Sequence, residues 1–206
     1  EKLWRYNQHY FDDLNSFNYR KKIKWHQDLI RSWLNHGDQM VGIGWDPYPL
    51  SIRAVNWIKW SFSTKKLSLE AKKCLFHHGL ILERNIEYHI LGNHIFTNAK
   101  ALIYLGLYFE GKDSERWLKL GMQIISNEIE AQILKDGGHI ELSPMYHSIV
   151  LEDILDIINI TRLYKGNSET FSDLKIEELV PKMLRWLSNM IFKDGDIALF
   201  NDAATN

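Results

Sequence analysis

The sequence predicts an all-α fold. Three observations carry this: apolar residues recur at helical spacing along most of the chain, short polar loops join the periodic stretches, and strand signals are few and brief. Ahead of Lys21 the chain is aromatic and polar without a clean period, and it reads mostly as loop. Ile23, His26, Ile30, Trp33 and Leu34 then make one stripe of a first helix, with Gly37 just past its end. After a turn-forming stretch at 42–49, a second helix is predicted over 50–63. Ser68 is placed to cap a third, with Leu69, Phe76, Leu80 and Ile86 inside it. A fourth runs over 97–109 and stops before Gly111. Asp113 or Ser114 caps a fifth, in which Trp117, Leu120, Ile124 and Ile125 share a face. Ser143-Pro144 is an N-cap followed by a proline at the first helical position, opening a sixth helix that reaches about Tyr164. A last helix carries Leu179, Met183, Leu184, Leu187 and Ile191 on one face, and Pro181 should begin or kink it. Two short strands are expected, at 139–142 and 197–200, each after an Asp-Gly turn. Helical hairpins in series form a bundle, a solenoid or a closed toroid, and periodicity does not choose among them.

Composition narrows the function classes. The chain is 45% hydrophobic and 13% aromatic, with eight Trp. Such rings build cores, and they also build platforms on which sugar rings stack. A net charge of −1 leaves no global field to attract nucleic acid, so an anionic ligand must be met by a local patch. One cysteine, Cys74, cannot form an internal disulfide. The apolar run 101–109 is too short to span a membrane. The chain opens at Glu1 without a methionine and reads as a segment of something longer.

Four stretches gather polar and aromatic residues at helix ends. In 48–57, Arg53 and Asn56 are three apart on one helical face, beside Trp57. An arginine there can grip a carboxylate bidentately, or make a surface ion pair. In 85–98, Asn93-His94 falls in a predicted turn, where it can face a ligand or merely cap the next helix. The block 136–147 packs His139, Glu141, Tyr146 and His147 into a turn that enters a helix. Asn201-Asp202 closes the fourth stretch, 194–202, as a turn or a support for the others. No His-Glu-x-x-His, cysteine pair or phosphate loop is present, and His139 and Glu141 alone make a weak metal pair. Neither metal nor other cofactor is expected.

In these stretches the chain resembles the heparinase II/III-like and alginate lyase group of polysaccharide lyases. The opening Trp4-Arg5-Tyr6-Asn7-Gln8-His9-Tyr10-Phe11-Asp12, the segment 51–57, Gly92-Asn93-His94, the 136–147 block and the closing Asp-Gly unit follow the family's order. The resemblance implies an incomplete (α/α) toroid over residues 1–206, a β-sandwich domain beyond it, and a cleft between the two. Some such lyases take a catalytic histidine from that sandwich. It also implies an anionic, uronic-acid-containing polysaccharide as substrate, a periplasmic or secreted setting, and cleavage by β-elimination.

That chemistry removes the C5 proton beside a carboxylate and expels the oxygen at C4. A hydrogen-bond donor must meet the carboxylate, a base must reach the C5 proton, and an acid must protonate the leaving oxygen. By resemblance Asn93 meets the carboxylate, with Arg53 helping. Tyr146 transfers protons, and His94 and His147 are the other candidates for base or for activating the tyrosine. A phenol's reference pKa is about 10, so a base role needs a nearby cation or donor. Asn56, Trp57, His139, Glu141 and Asn201 are expected to contact substrate. Two other classes stand beside this one. An (α/α)-toroid glycoside hydrolase would need two carboxylates, such as Glu141 with Asp202 or Asp153. A non-catalytic helical module would bind glycan or protein without bringing Asn93 and Tyr146 together.

Overall fold

The computed structural model describes residues 2–36, 41–90, 92–164 and 176–204. Among these, eight α-helices carry the architecture: α1 (Lys2–Asn7), α2 (Ile23–His36), α3 (Pro47–Thr64), α4 (Leu69–Leu82), α5 (Asn93–Tyr108), α6 (Lys112–Gln132), α7 (Pro144–Leu163) and α8 (Ile176–Ser188). The expected helices are all there, with shifted ends. Ser68 and Ser143 cap α4 and α7 through their hydroxyls, as read from the sequence. Gly37 lies outside the described residues.

Several boundaries differ for physical reasons. α3 starts at Pro47, because the fixed φ of a proline suits the first turn of a helix. α4 ends at Leu82, which leaves Ile86 in the loop. α5 starts four residues early, so Asn93 and His94 are its first two residues rather than a turn. Gly111, not Asp113 or Ser114, is the N-cap of α6; Ser114 instead donates its hydroxyl to the Gly111 carbonyl. α8 runs through Pro181, and Ile191 falls beyond its end.

The two expected strands do not form. Only isolated bridges join Ile133 to His139 and Ile191 to Ile197. Each Asp-Gly turn pairs one residue and then departs; the first leaves through Leu142 at φ 52° into the α7 cap. The N-terminal segment is less irregular than its sequence suggests. It holds α1 and two 3-10 turns, fixed by long-range bonds such as Tyr6 Oη to Asp46 (2.6 Å) and Asn56 Nδ2 to the Tyr10 carbonyl (2.9 Å).

The helices form hairpins in two layers. α3, α5 and α7 run parallel, since Tyr48 and Ser51 of α3 meet Asn93 and Asn98 of α5, while Thr97 and Tyr104 of α5 meet Asp153 and Asp156 of α7. The helix after each runs back along the outside. α6 returns along α5 so closely that a Cβ at Gly106 would strike the Leu118 backbone and one at Gly121 would meet the Ala99 carbonyl. α8 returns along α7, from Glu177 beside Arg162 to Met183 beside His147. This is an incomplete (α/α) toroid. Its core is one continuous cluster from Phe11 to Met183, centred on Trp57, Trp60, Phe96, Leu102, Ile103 and Trp117, all fully buried.

One polar set crosses this core. Lys100 of α5 is paired with both Asp153 and Asp156 of α7, and Lys59 of α3 reaches Asp156 at 2.6 Å. Burial alone would push the Lys100 ammonium toward neutrality, but the two aspartates outweigh it and raise its pKa. Lys100→Met would leave two buried carboxylates with one partly exposed lysine. A loss of about 3–5 kcal/mol in denaturant unfolding is expected; a loss below about 1 kcal/mol would show that the set does not hold the helices together.

Candidate functional site

Because α3, α5 and α7 are parallel, their N-terminal ends lie on the same side of the helical layer. Tyr48 comes from the first turn of α3, Asn93 and His94 from that of α5, and Tyr146 from that of α7. From the shared level of Thr97 and Asp153, Asn93 lies four residues up α5 and Tyr146 seven up α7. At the helical rise these are about 6 Å and about 10 Å. Tyr146 therefore stands about one turn further out than Asn93, at the same end. No hydrogen bond joins the two among the described residues.

The Asn93 amide donates to Tyr48 Oη at 3.1 Å, and its side chain is nearly buried. The His94 ring stacks on Tyr48 with centroids 4.1 Å apart. His94 Nδ1 lies 3.3 Å from Glu87 Oε2, within ion-pair range but not in hydrogen-bond geometry. Glu87 is buried and bonded to Asn98, whose amide also reaches Ser51. Burial, and then the charge of Asp153, pushes the Tyr48 phenol up to about 12, so it stays neutral. Tyr48 and Glu87 were not singled out from sequence. The Pro47-Tyr48-Pro49 start of a helix was the available signal for the first; Glu87 had none.

The Gly92-Asn93 corner is tightly specified. Gly92 has φ 78°, and a Cβ there would run into Glu141 Oε1. Gln132 Nε2 donates to the Gly92 carbonyl at 3.1 Å, and His139 Nε2 lies 2.8 Å from Gln132 Oε1. Asn201 Nδ2 donates to the carbonyls of Glu141 (2.8 Å) and Leu142 (3.1 Å). Glu141 therefore borders the site, and burial followed by the Asp202 charge raises its pKa. Asn201 supports this turn.

Five expected site residues are committed elsewhere. Arg53 is completely buried; its guanidinium lies 2.9 Å from His78 Nε2 and 4.1 Å from the centre of the Trp33 ring. Burial pulls its pKa to about 9, which leaves it charged, but no face of it is open to a substrate carboxylate. Trp57 packs edge-on against Phe11 and Trp33 with no exposed surface. Asn56 ties the N-terminal segment to α3 through Tyr10, Asp12 and Asn15. His139 is fully buried in the Gln132 bond. His147 is fully buried too, with Nε2 against the Met183 carbonyl and its ring on Trp186, so it cannot reach a substrate proton. Asp153, offered as a hydrolase carboxylate, is held by Lys100 and Thr97. Among the described residues no three His, Cys, Asp or Glu side chains are grouped to hold a metal, and no helix is long and apolar enough to cross a membrane.

The neutral histidines make stability pH-dependent. Burial lowers the pKa of His139 to about 4 and lowers those of His78 and His147. Once unfolded, each takes a proton near the reference value of about 6.5. A depressed folded pKa contributes stability that is complete above the unfolded value and lost as pH falls toward the folded one. The melting temperature should therefore fall between about pH 6.5 and about pH 4. His139→Gln, which does not titrate, should flatten part of that fall; an unchanged slope would contradict the buried neutral His139.

The chain is similar to several known proteins. A family profile described as Heparinase II/III N-terminus matches residues 51–206. A heparin-sulfate lyase of Bacteroides stercoris is 33% identical over 117 residues, covering 56% of this chain and 17% of its own length. One from Bacteroides thetaiotaomicron is 32% identical over 120 residues, covering 54% of this chain and 17% of its own length. This chain thus spans about a sixth of these relatives. Among solved structures, heparinase III superposes with a TM-score of 0.71 at 19% identity, covering 90% of this chain and 31% of that one. The heparan sulfate lyase HepC of Pedobacter heparinus gives 0.63 at 18%, covering 96% and 33%. Both likenesses are of fold.

Proposed function

Because the chain belongs to the heparinase II/III N-terminus family, we propose that residues 1–206 form the helical substrate-cleft domain of a longer, two-domain polysaccharide lyase. The observation that carries this reading is the gathering of Tyr48, Asn93, His94 and Tyr146 at the N-terminal ends of three parallel helices. Unpaired N–H groups and the helix dipoles make such ends attractive to anions. A uronate carboxylate is the matching ligand. The relatives' names point to a heparin-type glycosaminoglycan as the polymer. Chains of that size and charge do not cross membranes, which favours a periplasmic or secreted enzyme.

The geometry supports the roles that the resemblance implies. An amide has two N–H donors, and Asn93 spends one on Tyr48. The other meets the substrate carboxylate and stabilises the charge that develops there as the C5 proton leaves. A base takes that proton, the C5–H electrons form the C4–C5 double bond, and the C4–O bond breaks. Tyr146, half-buried in the first turn of α7, gives its proton to the departing oxygen. His94 is this chain's candidate base, with its ring stacked on Tyr48 and Nδ1 facing Glu87. Glu141 lines the cleft next to Gly92.

Elimination alone creates an unsaturated uronate that absorbs in the ultraviolet. A panel of uronate polysaccharides, heparan sulfate and alginate included, should show that absorbance when treated with the whole polypeptide carrying this chain. Tyr146→Phe and Asn93→Ala should each lower the rate at least about a hundredfold. Rates unchanged in both variants would remove these roles. New reducing ends without the absorbance would point to a hydrolase using Glu141 and Asp202, and neither signal would leave a glycan-binding module.

A further inference from the structure

Gly92 is held from two sides, and both holds lead to His139. Its carbonyl, the cap carbonyl of α5, receives Gln132 Nε2 from the last residue of α6. Over its α-carbon lies Glu141. The Gln132 amide also reaches Glu128 Oε2 at 2.5 Å, while its Oε1 faces His139 Nε2. The other ring nitrogen of His139, Nδ1, accepts from the Glu141 backbone N–H at 3.4 Å. A neutral imidazole with its proton on Nε2 satisfies both contacts, and no other form does. That proton must meet an oxygen, so it fixes which end of the Gln132 amide points at Gly92. Gln132 and His139 are both buried, and the Asp-Gly turn between them is braced by Ile140 N to the Gln132 carbonyl at 2.8 Å.

We propose that Gln132 and His139 are positioning residues that fix the Gly92–Asn93 peptide and thereby aim the Asn93 amide at the substrate carboxylate. This rests on the reading of Asn93 given above. Neither residue touches substrate. Their effect is geometric: turning the peptide by some tens of degrees moves the amide by about 1 Å, a displacement that costs a reaction up to about a hundredfold.

Gln132→Met keeps the size of the side chain and removes its bonds to Gly92, Glu128 and His139. It should lower kcat at least about tenfold while KM changes less than about twofold, because the lost interaction matters in the transition state. The Gly92 carbonyl ¹³C resonance should shift, and the Asn93 and His94 amides should exchange faster. His139→Gln places a donor where Nε2 was and should keep most of kcat, whereas His139→Leu should not. An unmoved Gly92 resonance in Gln132→Met, or equal kcat in the two His139 variants, would overturn the proposal. The resonance reads the strut without any activity. If Asn93→Ala left elimination intact while Gln132→Met still moved the resonance, the strut would stand as structure and the role of Asn93 would fall.

Discussion

The Lys100 ammonium, buried between Asp153 and Asp156, sets the level at which α5 and α7 lie against each other. Lys59 brings α3 into the same set. Buried ion pairs add little net stability over apolar packing, yet separating one strands a charge at a cost of several kcal/mol. A slide of one helix by a turn would do that here, whereas the surrounding Ile and Leu contacts would tolerate it better. The consequence lies at the helix ends. With α5 and α7 locked at Thr97 and Asp153, the first turns that carry Asn93 and Tyr146 can occupy only one relative height.

Parallel packing has an electrostatic price and an electrostatic use. Three adjacent N-terminal ends repel one another, and each leaves N–H groups unpaired. The chain answers part of this itself. Ser143 caps α7, and Glu141 lies by the start of α5. At α5 the cap residue is a glycine, with no side chain to satisfy the first N–H groups. That is the one of the three ends where Asn93 and His94 sit. A start without a side-chain cap thus coincides with the candidate site, as it does at α3 where Tyr48 sits, and under the proposed function an arriving carboxylate would take the place of a capping side chain.

The fold was more legible in the sequence than the site. Helical periods and two serine caps located every main helix, because burial of one face and local capping are both written at short range. The misplaced ends came from bonds that no period records. Asn93 was read as a turn because Gly92 breaks the pattern, yet Gln132, distant in sequence, accepts that break and starts the helix there. Arg53 and Asn56 share a helical face, as their spacing said. What spacing could not say is that the face points inward, at His78 and at the N-terminal segment. His147 has the same history: its position after Tyr146 suggested chemistry, and α8 covers it.

The two Asp-Gly turns explain why the polar block at 136–147 is so dense. After α6 and again after α8 the backbone makes the same bonds: an aspartate side chain to the second N–H beyond it, a glycine at φ 95°, and a single bridge. At matching places in that frame the first turn carries His139 and the second Ile197. One scaffold thus serves two purposes. In the second copy the bridge position is filled by an apolar side chain and only closes the hairpin. In the first, the same position holds an imidazole whose two nitrogens reach Gln132 and the Glu141 backbone. The second copy then supports the first, since Asn201 grips the carbonyls of Glu141 and Leu142 where Leu142 is held at positive φ. Backbone strain of that kind persists only where neighbours over-determine it. Here the neighbour is the repeat itself, which is how an array of simple hairpins comes to fix the corner of its surface that borders the candidate site.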